Sequence, residues 1–445
     1  MNSATRFLIT LLALATGPVW SSAVGQTASR LPNILVIVPD DQAWTDYGFM
    51  GHAEIRTPNL DRLAKQSAVF PRGYVPTSLC RPSLASMITG LYPHQHGITG
   101  NDPAFVAEAG TPRNKSAEYL RLSRLMIERF RSKTALPELL EQQGYVSFQS
   151  GKWWEGDPSS GGGFTRGMTH GDPARGGRHG DAGLAIGREG LKPVFDFVES
   201  AGAKPWFVWY APMLPHQPHN PPDRLLQKYS ANGAGAHVAK YFAMCEWFDE
   251  TCGELLDYLA ANGLEENTLV VFMADNGWIQ NPDQPRFDVR SKRSPYDGGI
   301  RTPILVRWPG HIAPAEYPDT LVSSLDFVPT VCAAADIGVG AELPGIDLRK
   351  VCEQAGTSQR DTLFGEIFDH DLRNLDDPLQ SLLFRWCIEN HWKLIVDRSG
   401  ESLQLFDLKT DPHEQKNLAA SHPDITQRLH EKINAWYPAP PRPVK

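Results

Sequence analysis

The chain has 445 residues, 41% of them hydrophobic, and a formal net charge of -8. It is long enough to bury a large core and too long for one ordinary domain. The acidic balance excludes nonspecific nucleic-acid binding, because neutralising phosphates takes a basic face. The 36 prolines and 38 glycines are spread along the chain and point to a loop-rich enzyme rather than to disorder.

Arg6 precedes an apolar run over 7–15, and small residues follow over 21–25. That is the order of a secretory signal, with cleavage expected near Ala23 or Gly25. The run is shorter than the ~20 residues of a membrane span. Residues 1–25 therefore read as a signal peptide. The mature protein is expected to be exported, periplasmic or extracellular, with no stable membrane insertion. Six cysteines permit disulfides in an exported chain, but their spacing fixes no pairing and matches no zinc pattern.

Asn33-Ile34-Leu35-Val36-Ile37-Val38 is a continuous apolar run, as expected of a strand buried on both faces of a parallel sheet. Similar runs recur at 206–210, 269–273 and 304–308. Helical patterns lie at 58–66, 135–143, 191–200 and 238–261. The alternation predicts an α/β fold with a large, doubly wound, mostly parallel sheet flanked by helices. Ligands of such sheets bind beyond the carboxyl ends of the strands. Glycine-rich stretches at 159–163 and 171–183 read as active-site loops or lids. From about 344 the pattern becomes short strands at 382–388, 391–396 and 403–407 and a final amphipathic helix at 423–436. These predict a smaller C-terminal α+β domain with an antiparallel sheet. The expected division is 1–25, 30–343 and 344–445.

The first strand runs into Asp40-Asp41, and the run at 269–273 ends in Ala274-Asp275-Asn276-Gly277. Adjacent carboxylates at a strand end repel each other unless a cation bridges them. Asp40, Asp41, Asp275 and Asn276 offer hard oxygen ligands only, which suits Ca2+ or, less well, Mg2+, and not zinc. Pro82 suits the first turn of a helix and so places Cys80 at its N-terminus, where N–H groups and the helix dipole favour an anion. On local sequence, Cys80 reads equally as a low-pKa nucleophile or a buried structural residue.

Cys80-Arg81-Pro82-Ser83, followed by Thr89-Gly90 and Leu91-Tyr92-Pro93-His94, resembles the signature of type I sulfatases, Cys-x-Pro-Ser-Arg…Thr-Gly. Asp40-Asp41, Gly151-Lys152-Trp153, Pro215-His216-Gln217-Pro218-His219, Asp275-Asn276-Gly277 and the segment 292–303 occur in that family's order, and the ending over 405–418 is also similar. The resemblance covers nearly the whole mature chain. It implies a sulfuric ester hydrolase that acts on a sulfated sugar or glycan. It implies oxidation of Cys80 to formylglycine by the maturation machinery, and calcium held by Asp40, Asp41, Asp275, Asn276 and the residue at position 80. The ion would lower the pKa of one hydroxyl of the hydrated aldehyde, whose oxygen attacks sulfur and releases the alcohol to leave a sulfated enzyme; deprotonating the other hydroxyl then expels sulfate and restores the aldehyde. Lys152 and Lys292 would hold the transition-state charge, and His216 would protonate the leaving oxygen, alone or with Lys292.

Two positions depart from the family pattern. Leu84 stands where the family has Arg, and Arg81 points about 100° away on a helix, so it is a poor replacement. Gly-Lys-Trp-His becomes Gly151-Lys152-Trp153-Trp154, which removes a His expected beside the formylglycine. The glycine-rich region supplies His170, Arg175, Arg178 and His179, of which Arg178 or His179 is expected to fold over the site. His219 is a further candidate for substrate binding. Other readings are a formylglycine phosphodiesterase or phosphonate monoester hydrolase, and a non-catalytic sulfoglycan-binding protein.

Overall fold

The computed structural model describes residues 1, 31–104, 112, 115–358 and 360–438. The segment holding the expected signal peptide lies outside the described residues. Leu31–Lys445 forms one compact unit.

Its main sheet has eight strands: β1 (Asn33–Ile37), β2 (Ala68–Phe70), β3 (Val146–Gly151), β4 (Arg166–Gly167), β5 (Trp206–Ala211), β6 (Thr268–Phe272), β7 (Ile304–Arg307) and β8 (Ala315–Glu316). They lie in the order β8-β2-β7-β6-β1-β5-β3-β4. β1 pairs in parallel with β5 and β6, and β7 runs antiparallel to β2 and β6. The continuous apolar runs are explained by burial on both faces. Ile34 and Val36 enter one core with Phe207, Trp209, Leu269 and Val271. Leu35 and Ile37 enter another with Val208, Tyr210, Val270 and Phe272. Helices α1 (Pro58–Lys65), α2 (Cys80–Thr89) and α3 (Ala236–Ala261) flank the sheet. Among the described residues no helix is long and apolar enough to cross a membrane.

A second, antiparallel sheet orders β9 (Thr362–Phe368), β10 (Leu382–Glu389), β11 (Trp392–Asp397) and β12 (Leu403–Asp407) in sequence. One face packs Cys387, Leu394, Val396 and Leu405 against Leu429 and Ile433 of the terminal helix α4 (Pro423–Trp436). The other turns Trp386, Ile388, Ile395 and Phe406 into the main core. Both sheets follow the expected α/β plus α+β pattern. All six cysteines are free thiols.

Candidate active site

The parallel hydrogen bonds continue past the strand ends and line up four segments. Asp40 N–H donates to Leu214 O at 2.9 Å, Asp275 N–H to Pro39 O at 3.1 Å, and Lys152 N–H to Ala211 O at 2.7 Å. Asp40, Asp41, Lys152, His216, Asp275 and Asn276 therefore all stand at the carboxyl edge of β1, β3, β5 and β6. Gly151 is required at the end of β3: its φ is +83°, and a Cβ there would lie 1.9 Å from Ala211 O. Asp41 takes φ +69°, rare for a non-glycine residue and common at functional sites. Its backbone N–H is held by Asp275 Oδ1 at 3.0 Å, and its carboxylate accepts from Asn276 Nδ2 at 2.7 Å.

Cys80 opens α2, with Leu79 as the N-cap. Its Sγ lies 3.1 Å from Lys292 Nζ and 3.7 Å from Asp40 Oδ1. Lys292 Nζ reaches both oxygens of Asp41, at 2.6 and 2.7 Å. Lys152 Nζ lies 2.8 Å from Asp40 Oδ2, and His216 Nε2 lies 3.4 Å from Asp41 Oδ2. Two lysines thus face three buried carboxylates. Burial pushes Asp40 up, but His216, Lys152 and Lys292 outweigh it and hold the group well below the carboxylate range. Asp275 has no lysine of its own, and burial with the charges of Asp40 and Asp41 drives it well above that range. Burial raises the Cys80 thiol despite Lys292 and lowers His216 to about 4.

The set suits a hard cation. Asp275 Oδ2 and Asn276 Oδ1 are buried without a hydrogen-bond partner, a costly state that a cation would relieve. One ligand atom from each of Asp40, Asp41, Cys80 and His216 falls within a 4.8 Å cluster. The all-oxygen group of Asp40, Asp41, Asp275 and Asn276 matches Ca2+ or Mg2+ chemistry.

The glycine-rich loop is built rather than loose. It carries a short helix at Pro158–Gly161 and 3-10 turns at Pro173–Arg175 and Asp181–Ala185. Asp181 gathers it, accepting from His170 N and Gly171 N at 3.0 Å each. At its tip the two candidates part. Arg178 turns to Asp102, with Nη2 2.6 Å from Oδ2, whereas His179 packs edge-on against Trp154, ring centroids 5.7 Å apart. Burial, with Lys152, Arg178 and His216, lowers His179 to about 3. His219 sits between the rings of Tyr241 and Trp278, at 5.4 and 5.7 Å. His170 lies 3.6 Å from Asp181, and Arg175 is exposed. Arg81 forms a buried two-pronged pair with Glu155 at 2.7 and 2.8 Å, and Leu84 is buried. Asp102, Glu155, Asp181 and Trp278 were not singled out from sequence. Asp102 and Glu155 owe their places to contacts with Arg178 and Arg81, 76 and 74 residues away in sequence, and Asp181 to contacts within its own loop, and no local motif signals these.

Comparison with known proteins matches residues 32–337 to the family described as Sulfatase. Residues 286–437 match the C-terminal family of N-sulphoglucosamine sulphohydrolase. Arylsulfatase A of Homo sapiens is 30% identical over 77% of this chain and 72% of its own length. N-acetylgalactosamine-6-sulfatase of Homo sapiens is 28% identical over 70% of this chain and 63% of its own length. The crystal structure of Ps i-CgsB in complex with k-i-k-neocarrahexaose shares the fold, with a TM-score of 0.72 at 24% identity, over 92% of this chain and 93% of that one.

Proposed function

Because the chain belongs to the type I sulfatase family and is a sulfuric ester hydrolase, we propose that it desulfates a sugar or glycan after export, using Ca2+ and a formylglycine made from Cys80. The observation that carries the reading is the position of Cys80, with Sγ 3.1 Å from Lys292 Nζ and 3.7 Å from Asp40 Oδ1 at the N-terminus of α2. The reading of a sugar substrate is supported by the relative that acts on N-acetylgalactosamine 6-sulfate by name and by the fold neighbour bound to a neocarrahexaose. The reading of export rests on the order of residues over 1–25.

Asp40, Asp41, Asp275 and Asn276, with the group at position 80, would hold the ion. The ion supplies positive charge for the sulfate oxygens, and the hydrated aldehyde supplies a nucleophilic hydroxyl and a second one whose deprotonation releases sulfate. Lys152 and Lys292 neutralise the oxygens of the ester as charge builds in the transition state. Lys292 and His216 share protonation of the leaving oxygen. Arg178, His179 and His219 act on the substrate's side of the site.

Peptide mass spectrometry of protein from its exporting host is expected to find an aldehyde at residue 80. Turnover of 4-nitrophenyl sulfate is expected to disappear on chelation and to return with Ca2+. An intact thiol in active enzyme overturns the formylglycine, and activity indifferent to chelation overturns the metal. Hydrolysis of an aryl phosphodiester without any of the sulfate overturns the sulfatase assignment in favour of a diesterase.

A further inference from the structure

Asp275 Oδ2, Asn276 Oδ1, Trp154 Nε1 and His179 Nδ1 are all buried without a hydrogen-bond partner. A cation accounts for the two oxygens and cannot account for the indole. Trp Nε1–H is a donor only and requires an acceptor. An unpartnered indole is not in itself diagnostic, since those of Trp209, Trp308 and Trp386 lie elsewhere in the same state. The surroundings of Trp154 set it apart. Lys152 Nζ lies 5.0 Å from its ring centroid and also pairs with Asp40. The ring is 6% exposed, and the second unpartnered nitrogen belongs to the imidazole packed on its edge.

That imidazole is held in place at a cost. His179 has φ +48°, strained for a side chain of its size. Gly180 follows it so closely over β3 that a Cβ there would meet Gly151 O at 2.4 Å. The carboxylate of Asp181 then ties down the chain at 170, 171 and 182. Among the charged groups around His179 are Lys152, Arg178, His216 and Asp40. The loop thus presses an uncharged ring against the Lys152 side of the active site.

We propose that Trp154 Nε1–H and His179 Nδ1–H form an anion-binding pair that takes oxygen of the substrate's sulfate group beside Lys152. The pair rests on the sulfatase reading and sharpens it. Both nitrogens gain acceptors when the substrate binds, so their desolvation is met before the reaction rather than during it. Two neutral donors add no charge to the two lysines.

Trp154→Phe keeps the ring and removes the donor, and His179→Asn keeps a donor near the same position where His179→Ala does not. Each variant is to be melted with and without inorganic sulfate and assayed with 4-nitrophenyl sulfate. Trp154→Phe is expected to melt at or above wild type without sulfate, because it loses an unsatisfied polar group. Its sulfate-induced rise in melting temperature should fall by at least half, and its kcat/KM by about tenfold or more. His179→Ala should lose about a hundredfold in kcat/KM, with His179→Asn recovering most of it. A Trp154→Phe enzyme with unchanged kcat/KM and an unchanged sulfate response overturns the pair, and so does one that melts below wild type. A wild type that neither hydrolyses the ester nor responds to sulfate overturns the sulfatase reading itself.

Discussion

Replacing Lys393 by Met should uncouple the C-terminal sheet from the segment that carries Lys292. Lys393 stands on β11, fully buried, with Nζ 2.8 Å from Asp297 Oδ1 and 2.7 Å from Glu414 Oε1. Asp297 keeps Tyr74 OH at 3.2 Å and Arg301 at 3.7 Å when the lysine goes. Glu414 keeps only the Asp297 backbone N–H, at 2.7 Å. Breaking a buried ion pair from one side costs about 3–5 kcal/mol, because a charge is left unpaired. Met fills most of the lysine stem, so little of this is cavity.

The loss should depend on pH through Glu414. Burial, opposed by Lys393, already lifts its carboxyl to about 7 from 4.5. A folded-state pKa above the unfolded one means that the folded chain holds a proton the unfolded chain releases. That stability is fully present below about pH 4.5 and is lost as pH rises toward 7, at about 1.4 kcal/mol per unit. Without Lys393 the carboxyl moves higher still, and the decline continues past pH 7. Urea unfolding at pH 5 and pH 8 should therefore show a deficit of about 3–5 kcal/mol at pH 8 that is smaller by about 1 kcal/mol at pH 5, because only between pH 7 and pH 8 does the variant go on losing stability that the wild type no longer loses. Adding Glu414→Gln to the Met variant should restore most of the deficit at pH 8. Equal losses at the two pH values would refute the reasoning.

Arg81→Leu leaves Glu155 buried and unpaired, and should cost about 3–5 kcal/mol in chemical unfolding; the double change with Glu155→Leu should recover most of it. Asp46 is pushed up to about 6 from 3.8 by burial, against hydrogen bonds from Tyr241 and Thr45. Its folded pKa is raised, so its contribution is present below about pH 4 and is lost by pH 6, a span worth about 3 kcal/mol. Asp46→Asn should flatten the stability profile across that window when unfolding is followed from pH 4 to 7. Lys292→Ala should lower kcat for an aryl sulfate by about 10²–10³-fold, read by steady-state kinetics.

The parts of this molecule that could be read from its sequence are those whose physics is local. A strand buried on both faces must be apolar throughout, so β1 and β6 announced themselves, and each ran into acidic residues at the edge where such sheets bind ligands. Pro82 one turn into α2 marked the helix start that presents Cys80. The rest depends on pairings that local sequence does not encode. Lys393, in a β11 that reads as an ordinary short antiparallel strand, is buried because carboxylates 96 residues before it and 21 after it meet at its amine. At the loop tip, sequence left Arg178 and His179 equivalent. The choice falls to Asp102, 76 residues away, which pairs with the guanidinium, while the imidazole packs onto Trp154. The same logic changes the meaning of Trp154. Judged against a motif it is a missing histidine, but in three dimensions it is the surface on which another histidine is held. A departure from a motif can therefore be judged only after asking which distant residue the fold delivers to the vacant role.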